Sequence, residues 1–190
     1  METDLEHSQV LIAQFSERAT PLGTVVERAV DSAGAAGIVA RLVRAAGSDR
    51  AVVAPQLAER AGIMMAALHE LDVRVDITQS RDDARDVSAG LSLAYRAIAE
   101  TGSVLLNERH LLDRATSLMV LHNIVVASVA DLVPSLDSTP DLLREIAGQS
   151  GGGYATFVTG PSRTADIEMS LTVGVQGPGQ VTILFVDELT

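Results

Sequence analysis

Four short β-branched runs, RAVVAP (50–55), VRVDIT (73–78), LHNIVVASV (121–129) and VTILFV (181–186), are separated by longer stretches with helical spacing. This alternation constrains the fold more than any other feature. Parallel strands need crossovers between them, and burial on both faces makes them read as continuous apolar runs. Adding the runs at 103–106 and 154–159, about six strands are expected. The predicted class is α/β, with a mixed, largely parallel sheet covered by helices on both faces.

Between these runs, Leu5–Arg18 is amphipathic, with Leu5, Ile12 and Phe15 on one face. Val30–Ala46 is alanine-rich and closed by Gly47, and Gln56–Glu70 reads as a further helix. In VSAGLSLAYRAIAETGSVLLN we expect a short strand, a helix over Ser92–Ala99, a tight turn at Glu100–Gly102 and the strand Ser103–Leu106. Thr139 is placed to cap a helix over Pro140–Ala147, with proline at its favoured first position. SGGG (150–153) reads as a loop, too short for a domain linker, so residues 1–190 are expected to form one domain. Residues 1–20 would be a helix on or before its core.

The 190 residues carry a formal net charge of -11 and their basic residues do not cluster, which disfavours nucleic acid as a partner. With no cysteine, the chain offers neither a thiol nucleophile nor thiolate ligands for an iron–sulfur cluster. The four histidines, His7, His69, His110 and His122, lack metal-ligand spacing, so no metal site is expected. His122, opening a strand, is the one to watch. No apolar run approaches the roughly 18–20 residues of a membrane span, and the acidic N-terminus is unlike a signal peptide. These features read as a soluble, cytoplasmic protein.

Phosphate-loop, dinucleotide and nucleophile-elbow motifs are absent from the sequence. Two stretches concentrate polar chemistry instead. AIAETGSVLL puts Glu100 and Thr101 at a helix-to-strand turn, with Gly102 suited to positive φ. A glutamate there opposes the helix dipole, which hints at a purpose beyond a cap. TGPSRTADIE has two readings. One is a capped helix with an Arg163–Asp166 pair. The other is an anion site, in which Pro161 starts the helix and the free amides of Ser162 and Arg163, the Ser162 and Thr164 hydroxyls and the Arg163 guanidinium converge. In an open α/β sheet such a segment would lie beyond the carboxyl ends of the strands, where ligands bind. Gln176, in the turn GVQGPG, presents an amide either to a ligand or to its own loop.

Taken together, AIAETGSVLL, LHNIVV and TGPSRTADIEMSLTVGVQGP resemble the LUD domain, the lactate-utilisation domain of the lactate utilisation protein C group. The resemblance covers Val87 to the C-terminus. It rests on Glu100-Thr101-Gly102, Gly160-Pro161-Ser162, Asp166-Ile167-Glu168 and the glycines and proline of 174–178. It implies a fold similar to the sugar-phosphate isomerase and CoA-transferase superfamily. It also implies a three-protein system oxidising L-lactate to pyruvate, whose partner proteins carry iron–sulfur clusters. Gln176 stands where the family usually has histidine, and an amide does not titrate near neutral pH.

The leading expectation is a cluster-free subunit of such a system, acting on L-lactate or a similar 2-hydroxy acid. Glu100, Asp166 and Glu168 would be its polar or catalytic carboxylates. Thr101, Gly102, Gly160, Ser162, Arg163, Thr164 and Gln176 would bind a small anionic metabolite. No cofactor is expected on this chain itself, and a homo-oligomer is left open. Two alternatives stand: an enzyme acting alone on a phosphorylated or CoA-linked molecule with Glu100 as nucleophile or base, and a non-catalytic assembly or regulatory module that has lost the histidine.

Overall fold

The computed structural model describes residues 2–149, 153–165, 171–174 and 177–190. In chain order the elements are α1 (Glu2–Ala19), β1 (Thr24–Asp31), α2 (Ser32–Ala45), β2 (Arg50–Val53), α3 (Pro55–Arg60) and α4 (Gly62–Glu70). Next come β3 (Arg74–Ile77), α5 (Arg81–Ala84), β4 (Ala89–Leu93), β5 (Arg96–Ile98), β6 (Ser103–Asn107), α6 (Leu111–Met119) and β7 (His122–Ser128). The chain ends with β8 (Leu132–Val133), α7 (Pro140–Ala147), β9 (Ala155–Val158), β10 (Arg163–Ala165), β11 (Leu171–Val173) and β12 (Gln180–Glu188).

The expected α/β architecture is present. β1-β12-β7-β4-β2-β3 form a six-stranded sheet whose neighbours are all parallel. On one face, Ile124, Val126, Leu184 and Val186 pack against Val39 and Val43 of α2, Leu57 of α3 and Met64 and Leu68 of α4. The alternate residues Val125, Ala127, Ile183 and Phe185 face the other side, where they meet Leu11, Phe15 and Ala19 of α1. Strands buried on both faces explain the unbroken apolar runs. The second face carries more than helices, because β8-β5-β6-β9 form a four-stranded sheet that contributes Ala97, Val104 and Leu106 to the same core. Among the described residues no helix is long and apolar enough to cross a membrane.

Several sequence expectations need correction. Ser92–Ala99 is not a helix: β4 runs through Leu93, and after Ala94 and Tyr95 the chain enters β5. Its alanines favour a helix, but Ala94, Ala97 and Ala99 are fully buried in the core between the sheets, and this packing overrides propensity. The expected helix Val30–Ala46 starts only at Ser32, where the Asp31 carboxylate accepts the Gly34 amide at 2.7 Å. Before it runs β1, which the sequence did not reveal. It is a charged edge strand with Val25 and Val30 exposed, so its pattern is not apolar. Gln56–Glu70 is broken at Ala61 into α3 and α4. Thr139 does not cap α7; its hydroxyl donates backwards to the Leu136 carbonyl at 2.7 Å.

The connections diverge at one place. From β2 the chain moves outward to the edge strand β3, whereas from β4 it moves the other way to β7. The carboxyl ends of β2 and β4 therefore flank a topological switch point, where open α/β sheets form their ligand crevices.

Candidate functional site

Glu100, Thr101 and Gly102 form the turn between β5 and β6, not a helix end, so the helix-dipole argument for Glu100 falls away. The Glu100 carboxylate accepts the Leu136 amide at 3.0 Å. Gly102 has φ 64°, and a Cβ there would stand 2.7 Å from the Ala19 nitrogen at the end of α1. Glycine is thus required by conformation and by close approach. The Thr101 hydroxyl oxygen is buried without a partner, beside a cavity of about 660 Å³ lined by Ser103, Leu136, Thr139, Leu143 and Phe157.

The segment after Gly160 is not a helix start. It leads into β10, which pairs antiparallel with β11, and so Pro161 opens no helix. The Ser162 amide donates to the Pro178 carbonyl and the Ser162 carbonyl accepts the Gly174 amide, both at 2.9 Å, so this amide is not free for an anion. The Arg163 side chain is exposed and its guanidinium donates to the Leu22 carbonyl. Thr164 lies in β10. Asp166, Ile167, Glu168, Val175 and Gln176, like Ser150–Gly152 of the loop, fall outside the described residues.

This segment also sits at the opposite edge of the sheet from the one expected. Thr24, which begins β1, donates from Oγ1 to the Thr159 carbonyl at 2.6 Å, and Gly179 donates to Leu121 just before β7. These are amino ends of parallel strands. Ser103 Oγ and Thr159 Oγ1 share a hydrogen bond of 2.8 Å, which draws the Glu100 and Gly160 turns to one corner of the molecule. Nearby, His122 is buried, with Nε2 2.9 Å from Thr182 Oγ1. Burial pulls its pKa below the usual imidazole value. It lines a cavity of about 660 Å³ with Ser88, Leu121, Gly174 and Gln180.

A different cluster occupies the switch point. Gln56, in the first turn of α3 just past β2, donates its side-chain amide to the Asn107 carbonyl at 2.8 Å and its backbone N–H to Asp113 Oδ1 at 3.1 Å. Asn107 ends β6, and Asp113 lies in the first turn of α6. Between them, the Glu108 carboxylate accepts hydroxyls from Ser117 and, at 2.7 Å, from Thr156. Asn107, Glu108 and Asp113 are each about 95% buried. Burial raises the Asp113 pKa above the ordinary carboxylate value, against the opposing hydrogen bond from Gln56.

Three side-chain oxygens here are buried with no partner: Asn107 Oδ1, Asp113 Oδ2 and Gln149 Oε1. Leaving such acceptors unsatisfied costs free energy, and an empty acceptor in a cleft is a seat for a ligand's donor or a water. Ala54, Ser92, Leu93 and Leu106 close the floor, whose void of about 10 Å³ is the size of one water. The floor leads to a mouth of about 480 Å³ bordered by Arg60, Tyr95, Arg109, His110, Glu145 and Gln149. Asp131, bridging Arg60 at 3.1 Å and Arg96 at 2.7 Å, ties α3 to β5 beside this opening. No group of three or more His, Cys, Asp or Glu placed to hold a metal ion occurs among the described residues.

Sequence reasoning missed this cluster. Its one sequence signal is NERH (107–110), a polar run set directly against a buried strand and followed three residues later by Asp113.

Residues 12–186 match the LUD domain. The chain is 34% identical over 107 residues to Lactate utilization protein C 1 of Bacillus mycoides (strain KBAB4), covering 55% of this chain and 46% of that protein. It is 32% identical to Lactate utilization protein C of Bacillus subtilis (strain 168), covering 55% and 45%. To the protein of that name from Oceanobacillus iheyensis it is 34% identical over 124 residues, covering 62% and 53%. The chain thus spans about half the length of the curated relatives it matches. Among solved structures, a DUF162 family protein from Deinococcus radiodurans shares the fold, with a TM-score of 0.64 and 21% identity over 94% of this chain and 98% of that one.

Proposed function

Because this chain belongs to the LUD domain family, we propose that it serves lactate utilisation as the cluster-free subunit of a cytoplasmic system that oxidises L-lactate, or a similar 2-hydroxy acid, to pyruvate. The oxidation releases two electrons and two protons from the C–H and O–H of the hydroxyl carbon. In this reading the electrons pass to iron–sulfur clusters on partner proteins, since these 190 residues hold no cysteine to ligate a cluster. The names of the relatives support the system, and the switch-point cleft supports the location of the small-molecule site.

One observation carries that location. Asn107 and Asp113, each with a buried and unpartnered oxygen, line a cleft at the carboxyl ends of β2 and β4. The chain's own part is to seat and orient the substrate and keep water from it. Asp113, whose proton affinity is raised by burial, is suited to hold a proton near the substrate hydroxyl. A second anion contact at the Gly160–Thr164 turn is supported by the exposed guanidinium of Arg163.

Deleting the gene in its native host should abolish growth on L-lactate as sole carbon source, and re-expression should restore it. Undiminished growth of the deletion strain would refute the reading. Complementation with Arg163→Ala tests the second contact, which predicts slower growth on lactate at unchanged protein level.

A further inference from the structure

The unpartnered atoms of the switch-point cleft share one chemical character. Asn107 Oδ1, Asp113 Oδ2 and Gln149 Oε1 are all oxygens, and the carboxylate of Glu108 beside them already takes its hydrogen bonds from Ser117 and Thr156. Asn107 is 5% and Asp113 4% exposed, so solvent does not satisfy them. The two unpartnered atoms on the floor, Asn107 Oδ1 and Asp113 Oδ2, are acceptors, which disfavours a carboxylate or phosphate beside them and favours a hydrogen-bond donor. Among the described residues no three His, Cys, Asp or Glu side chains are grouped to hold a metal ion. The floor admits about one water-sized group, which matches a single hydroxyl and excludes an extended chain. At the wider mouth the charges are mixed, with Arg60 held by Asp131 and the exposed side chains of Arg109 and His110 within reach of an anion.

We propose that this cleft binds a small 2-hydroxy acid with its hydroxyl inward, its single hydrogen shared between the acceptors of Asn107 and Asp113, and its carboxylate outward beside Arg109. The assignment rests on the lactate-utilisation reading for the choice of acid, and on the acceptor floor for the orientation. Gln56 acts as a positioning residue. It fixes the Asn107 backbone with its side chain and the Asp113 carboxylate with its amide, and both residues, each with a buried oxygen left unpartnered, line the void. The hydroxyl takes the place a water would otherwise fill.

Three ligands of nearly equal size separate donor from acceptor: L-lactate, propionate, which lacks the hydroxyl, and pyruvate, which offers only an acceptor. Titrating the full chain calorimetrically with each, we expect lactate to bind about tenfold or more tightly than the other two. Asp113→Asn should erase that preference while circular dichroism and Tm remain those of a folded protein. Asn107→Leu, of similar size and without the acceptor, provides a second variant should the first misfold and should likewise erase the preference. Arg109→Ala should weaken lactate and propionate alike and leave their ratio unchanged.

Equal affinity for the three acids, or binding of none, overturns the assignment and leaves only a buried water on the floor. Glycerol bound as tightly as lactate overturns the acid half. The failures are separable. A growth defect without preferential lactate binding removes this site and spares the lactate reading, whereas preferential binding without a growth defect does the reverse.

Discussion

Asp113 and His122 are both buried, and burial moves their proton affinities in opposite directions. His122 is held neutral, so the unfolded chain takes up a proton before the folded one does. Stability therefore falls as pH drops through the ordinary imidazole value of 6.5. Asp113 has a raised folded pKa, so its contribution is fully present below the ordinary carboxylate value of 3.8 and is lost as pH rises through the folded one. At neutral pH its burial is a cost, which a neutral residue of equal shape removes. Asp113→Asn should accordingly gain on the wild type in Tm as pH rises from about 4 to 7. Thermal melts across that range would check it, and parallel curves would show that Asp113 has no raised affinity. Neither residue was fully legible in the sequence. His122 drew notice because it opens a strand, but Asp113 looked like an ordinary first-turn carboxylate. Its partner Gln56 is 57 positions away and meets it only through the fold.

Among the elements, α1 shows how amphipathic spacing becomes packing. The expected face carrying Ile12 and Phe15 docks on the sheet, and the Phe15 and Phe185 rings meet edge to face, with centroids 5.1 Å apart at 89°. Phe15→Ala should cost about 3–5 kcal/mol, read as a lower denaturation midpoint, because a fully buried ring leaves a cavity between helix and sheet. A midpoint within error of wild type would mean that α1 does not help close the core. The strands β2, β7 and β12 could be read in advance because parallel strands covered on both faces are continuously apolar, and edge strand β3 because Val73, Val75 and Ile77 alternate with charged residues. Edge strand β1 could not, because its outward residues are free to be Glu27 and Arg28, the latter paired to Asp187 at 2.9 Å. The Gly160 segment misled for a related reason. Gly-Pro-Ser-Arg-Thr carries every local signal of a helix start, yet the Ser162 backbone is engaged by Pro178 and Gly174, and these long-range partners decide its conformation.

At the scale of the molecule, a six-stranded parallel sheet has helices on one face and a helix with a second sheet on the other. That second sheet brings Asn107 and Glu108 to the carboxyl ends of β2 and β4, and so builds the cleft's floor. Of the turns singled out in the sequence, Gly174 lines the His122 cavity near the amino ends of β7 and β12, while Thr101 borders a separate cavity with Ser103 and Phe157. The two ends of the parallel sheet thus divide the polar chemistry: the proposed hydroxyl seat at the carboxyl ends, and the turns at Gly160 and Gly174 at the amino ends. In the proposed system, the chain would seat the hydroxy acid while partner proteins accept the electrons. The most direct test is to purify the tagged chain from lactate-grown native cells and follow pyruvate formation from L-lactate. The account predicts co-purifying iron–sulfur partners and pyruvate production that falls about tenfold or more with Asp113→Asn. A chain isolated without such partners, or a complex whose turnover is unaffected by Asp113→Asn, would contradict it.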